Sequence, residues 1–212
     1  MQTILTAALS SRQDIGTFGD HQLILATAPV RTDLIWSMPP NFAGAASHHD
    51  FHPKLAPMVD QFRPLVHRWI DQLGSSTRLA IGMTAMLPCD SSQGAYDKLS
   101  LLLPGLNLSK RPCRDLTFKI NVPITSTVVE SVKLNTLTEW TAVMLGAVVL
   151  DPGLFGSQAP MPPLDGSANY VRVVTDMNTL PLDGLPITTA QLHGLADELF
   201  RTSLATIESG DR

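Results

Sequence analysis

Charge and cysteine are both scarce in this chain. Only 16 % of its residues are charged and the net charge is −4. Nucleic-acid binders draw much of their affinity from a basic excess, so a DNA or RNA partner is not expected. Two cysteines, Cys89 and Cys113, are too few for a paired-cysteine metal frame or a disulfide scaffold. The start, Met1-Gln2-Thr3-Ile4-Leu5, puts no basic segment ahead of its apolar residues, so no secretory signal is read and a reducing cytoplasm is the expected setting. The longest apolar run, Trp140 to Leu150, falls short of the ~20 residues a helix needs to cross a bilayer, and no membrane span is expected. Phosphate-binding glycine loops, nucleophile elbows and DNA-reading signatures are also lacking, which leans the reading away from catalysis.

What is present is apolar. Hydrophobic residues make up 44 % of 212 positions, enough for a sizeable core and for an apolar surface used in assembly. Charge is unevenly spread: residues 1–133 carry twelve Lys/Arg against ten Asp/Glu, and residues 134–212 carry three against nine. The sharpest basic group, Lys110, Arg111, Arg114 and Lys119, offers a contact for an anionic partner, although a solvated loop and strand face is the plainer account.

Periodicity places the elements. Strands are expected at Thr3–Leu9, Gln22–Thr27 and Val30–Met38, the last two joined by a tight reversal at Ala28-Pro29. From Leu55 the apolar residues recur at helical spacing to Leu73, with Gly74 as the stop and Pro64 expected to kink or divide the helix. Arg78 to Leu87 reads as a buried strand ended by Pro88, and Ser91 or Ser92 caps a helix that Pro104-Gly105 ends. Leu116 to Val122 alternates as a half-buried strand. Further extended segments are expected at Val128–Leu134, Trp140–Leu150 and Tyr170–Met177, and a capping box at Thr188-Thr189-Ala190-Gln191 opens the last helix, which runs to Gly210. The sum is a single α+β domain over residues 1–212, with a largely antiparallel sheet, about three helices packed on it, and a flexible proline- and glycine-rich loop at about 151–169.

Three groups of residues hold candidate chemistry. His48, His49, Asp50 and His52 crowd three imidazoles and a carboxylate into five positions, a set suited to a divalent metal. Successive side chains on an extended loop diverge, however, and an exposed polar loop with Asp50 capping the coming helix explains the same residues. Asp176-Met177-Asn178-Thr179 closes a late strand, where Asp176 and Asn178 can tie a turn or bind a ligand. Asn135 and Trp140 lie between two extended segments, where a structural corner is the plainer account. No cofactor is expected apart from a metal at the histidine cluster.

The segments Arg78-Leu79-Ala80-Ile81-Gly82, Asn135 to Trp140 and Asp176-Met177-Asn178-Thr179 resemble an uncharacterised, sporadically distributed family of bacterial proteins. That family pairs an Arg-Leu-x-x-Gly strand with Asn-x-Leu-x-x-Trp and Asp-x-Asn-Thr segments. The resemblance spans roughly residues 60–210. It implies a bacterial, cytoplasmic protein of the kind found near mobile or defence-associated genes, and it implies no catalytic residues. The leading expectation is therefore a non-enzymatic subunit that self-associates or docks on a protein partner through an apolar strand edge or helix face. A metal-dependent enzyme or metal-responsive switch at His48–His52 is the first alternative, and a small-ligand binder closed by the 154–169 loop is the second.

Overall fold

The computed structural model describes residues 2–6, 11–19, 21–28, 31–37, 55–106, 108, 115–145, 168–180 and 186–210. Four strands open the chain as an antiparallel meander: β1 (Gln2–Thr6), β2 (Ser11–Phe18), β3 (His21–Ala28) and β4 (Arg31–Ser37). The reversal between β3 and β4 falls where Ala28-Pro29 places it, with Ala28 opposite Arg31. The sequence signal missed β2, whose residues Ser11-Arg12-Gln13-Asp14 are too polar to read as a strand.

Helix α1 (Leu55–Leu73) follows, buries Val59, Val66 and Ile70, and ends at Gly74, whose φ of 72° is the left-handed conformation that glycine adopts freely. Pro64 does not divide it: one element runs through the proline. The meander meets the helix through aromatic rings, with Trp36 stacked on Phe62 at 5.3 Å and Phe62 edge-on to Phe200 at 6.5 Å.

The second half builds a four-stranded antiparallel sheet. After the two-residue β5 (Ser75–Ser76) come β6 (Ala80–Cys89), α2 (Ser92–Leu102), β7 (Thr117–Thr125), β8 (Lys133–Leu145) and β9 (Ala168–Thr179). The two-residue β10 (Ile187–Thr188) and α3 (Thr189–Ser209) close the chain. The strand order is β6-β9-β8-β7, so α2 carries the chain from one edge of the sheet to the other. Both helix starts follow their sequence signals: Ser91 accepts from the Gly94 N–H, and Thr188 and Gln191 form a complete capping box.

Three expected segments are corrected. Val128–Leu134 is mostly turn, and Trp140 lies in the middle of the single strand β8 rather than at the start of one. Strand β6 runs through Pro88 to Cys89 and is an edge strand. The flexible-loop expectation lies outside the described residues up to 167, and Ala168 and Asn169 already belong to β9.

All three helices contribute to core on one face of this sheet. One cluster joins α1 and α3 to Ile81, Leu134 and Met177. The other joins α2 and Ile207 to Trp140, Val171 and Val173. The α+β fold with antiparallel sheets is thus present, with its helices and its sheet core on the same side.

Candidate interaction face

Side chains alternate across a sheet, so burying Ile81, Trp140, Val173 and Met177 against the helices turns Gly82, Asn135, Leu137, Glu139, Val174 and Asp176 to the opposite face. On that face the three sequence segments meet. Asn135 stands directly opposite Asn178, which stands opposite Ala80. Asp176 stands opposite Leu137 on one side and Gly82 on the other.

Their side chains form a ladder. Asn121 donates to Asn135 at 3.4 Å, Asn135 to Asn178 at 3.2 Å, and Asn178 to Asp176 at 3.2 Å. Next to it the Glu139 carboxylate takes Arg172 at 3.2 Å and Lys119 at 3.7 Å. Thr179 closes the join to the Arg-Leu segment, its N–H donating to the Leu79 carbonyl while its hydroxyl accepts the Leu79 N–H, both at 2.9 Å. Asn178 therefore ties β9 to β8 through Asn135, while Asp176 holds the Asn178 amide from within β9.

Trp140 departs from this set. It points to the core side and is 1 % exposed, so it is a packing residue with no access to a ligand on the outer face. Lys119 is held by Glu139, and Lys110, Arg111 and Arg114 lie outside the described residues, as does the whole of His48, His49, Asp50 and His52. Among the described residues no group of three or more His, Cys, Asp or Glu side chains is arranged to hold a metal ion. Cys89 is a free thiol whose pKa burial pushes up against the pull of Lys98, which disfavours the nucleophilic thiolate.

The sheet edges carry their own signal. Hydrogen bonds in an antiparallel pair fall at alternate residues. The bonds from Ala142 to Leu116 and from Ser126 to Val132 flank an unbroken register, so even-numbered positions of β7 bond β8 and odd ones point their backbone outward. Pro123 is odd. The bond from Thr179 to Leu79 likewise assigns odd positions of β6 to β9 and leaves even ones, Pro88 among them, facing out. Among the described residues each free edge of this sheet thus has a proline where an added strand needs an N–H, and the outward Pro88 carbonyl is already taken by Lys98 Nζ at 2.7 Å.

A second polar cluster escaped the sequence reading. Between α1 and α3, His67 Nε2 lies 3.1 Å from Asp197 and His193 Nε2 lies 2.8 Å from Asp71, with the two rings 4.6 Å apart and Arg63 also 3.6 Å from Asp197. The paired residues are 130 and 122 positions apart, so no local motif could announce them. The seam borders a shallow cleft of about 420 Å³ lined by Arg63, Asp197, Arg201, Leu204, Ala205 and Glu208. Each Nε2 is engaged by a carboxylate on the facing helix, an arrangement that clamps the two helices together.

Comparison with known proteins adds no relative: no protein-family model, curated protein or solved structure matches the chain.

Proposed function

We propose that this chain is a non-enzymatic interaction subunit of a multi-protein assembly, docking through the outer face of its C-terminal sheet. The carrying observation is the contrast between edges and face. Both edges are guarded by an outward-facing proline, which argues against the strand edge, one of the two docking surfaces, edge or helix face, expected from sequence. The outer face sets Leu137, Val174 and Met86 among the amide ladder and the Lys119–Glu139–Arg172 ladder. Apolar residues ringed by hydrogen-bonding and charged ones have the make-up of a non-obligate protein interface. The family resemblance supplies the setting of this reading, a bacterial cytoplasm and a mobile or defence-associated gene cluster.

Native mass spectrometry of the untagged protein from its own host tests the reading. A species heavier than the monomer is expected, and Val174→Lys, an outward change in mid-strand, should remove it while circular dichroism stays unchanged. A monomer under all gentle conditions, or a complex indifferent to Val174→Lys, would count against face docking.

The edge argument has its own test. Pro123→Thr restores the missing donor on β7 and is expected to produce new concentration-dependent association, seen as higher-mass species by light scattering. Unchanged scattering up to high concentration would mean that Pro123 is not what guards the edge.

A further inference from the structure

Resting on the face-docking reading, we infer that the occupant of the outer face is a second copy of this chain, packed sheet on sheet about a two-fold axis that crosses β9 at Val174. The order of residues on that face carries the inference. Along β9 the outward positions run Arg172, Val174, Asp176: cation, apolar side chain, anion, spaced about 7 Å apart. Rotated two-fold about its centre, this row places each cation over the anion of the other copy and Val174 over Val174. A two-fold contact requires a patch that complements its own rotated image, and a face of one sign would repel its copy.

The neighbouring strand repeats the fit. On β6, Gly82 stands beside Asp176 and Met86 beside Arg172, so the same rotation sets the flexible Met86 side chain of one copy over the bare backbone at Gly82 of the other. Gly82 is exposed, and a Cβ built there meets only the Thr175 carbonyl, at an ordinary 3.6 Å. The row on the axis also holds Glu139 and Lys119, each of which the rotation sets over its own image; that like-charge contact is offset within each copy, where Glu139 is paired with Lys119 at 3.7 Å and Arg172 at 3.2 Å. Four strands about 4.8 Å apart and about nine residues long present roughly 500 Å² per copy, the low end for specific contacts, so association in the micromolar range is expected.

Sedimentation velocity on the purified chain from about 1 to 100 µM, with charge variants, tests this. Arg172→Asp and Asp176→Arg each place two like-charged pairs across the axis, and each is expected to weaken dimerisation by about tenfold or more. The double variant Arg172→Asp/Asp176→Arg rebuilds the pairs with reversed sign and should recover most of the loss. Because Arg172 also pairs with Glu139 within the chain, Gly82→Arg serves as a second probe: it fills the Met86 seat and should abolish the dimer with an unchanged circular dichroism spectrum. A double variant no better than the singles, or a Gly82→Arg dimer, overturns the inference. A purified chain that stays monomeric, with a native complex still lost on Val174→Lys, overturns the second copy and leaves face docking standing. A dimer indifferent to every face variant overturns both.

Discussion

Glu198→Ala is expected to lower the unfolding free energy by about 3 kcal/mol, because it removes a buried carboxylate together with the partners that depend on it. Glu198 on α3 is 3 % exposed. It accepts hydrogen bonds from the Ser126 hydroxyl at 2.5 Å and from the Thr127 N–H and hydroxyl, both at 2.7 Å. Ser126 Oγ in turn accepts the N–H groups of Val128 at 3.1 Å and Val129 at 3.0 Å. One side chain thus holds the whole β7–β8 turn onto α3, and a Cβ placed on Gly194 would stand 2.5 Å from Val128, which shows how closely that turn approaches the helix. Truncation strands the buried Ser126 hydroxyl and removes the acceptor of the part-buried Thr127 N–H and hydroxyl. Glu198→Gln keeps the shape and one acceptor, and should cost about 1–2 kcal/mol. Urea unfolding of the three proteins checks this, and a Glu198→Ala protein within experimental error of the parent would show that the turn is held by packing alone.

The same carboxylate sets an acid limit. Burial pushes the Glu198 pKa up, but the bonds from Ser126 and Thr127, helped by Arg201, outweigh burial and hold it below the ordinary carboxylate value. A group depressed in the folded state contributes its full stabilisation above the unfolded-state pKa. That contribution falls as pH drops from the unfolded-state pKa through the lower folded-state one. The stability difference between the parent and Glu198→Ala should therefore be full at neutral pH and shrink in acid.

Local physics made the helices legible and non-local physics hid the face. The Leu55–Leu73 periodicity, the Ser91 cap and the Thr188–Gln191 box are each contained within a few turns of chain, so their signals survive in the bare sequence. Strand β8 reads as two segments in the bare sequence because Thr136 and Thr138 interrupt the apolar alternation on its core face, and Thr138 is 2 % exposed there. The apolar residues that suggested a strand at Val128–Leu134 include Val129 and Val132, which are buried from a turn. Asn135, Asp176 and Asn178 were visible as unusual residues, yet only the register of β8 against β9 shows that they form one ladder. The cross-helix pairs His67–Asp197 and His193–Asp71 rest on a helix packing that no window of sequence contains.

Trp140→Ala separates packing from ligand binding at a residue that a sequence motif makes conspicuous. The indole is 1 % exposed, lies 5.9 Å from the Phe118 ring at a 32° tilt, and stands in register between Phe118 and Val173 on the core side of the sheet. Large aromatic truncations in such sites leave a cavity and cost about 3–5 kcal/mol. That is a large share of the ~5–15 kcal/mol that holds a typical domain folded, so much of the protein is expected to be unfolded or aggregated at 37 °C. The indole N–H has no partner, so Trp140→Phe forfeits volume but no hydrogen bond and should cost clearly less, about 1–2 kcal/mol. A residue that served a ligand on the outer face would behave in the opposite way: Ala would leave the melting temperature nearly unchanged, and Phe would impair association as much as Ala. Because β8 carries Trp140 on one face and Asn135, Leu137 and Glu139 on the other, the packed indole fixes the height and register at which the outer residues are presented. Trp140→Phe should then leave face-dependent association intact, and a Phe variant that folds normally but fails to associate would place the tryptophan in the docking chemistry instead.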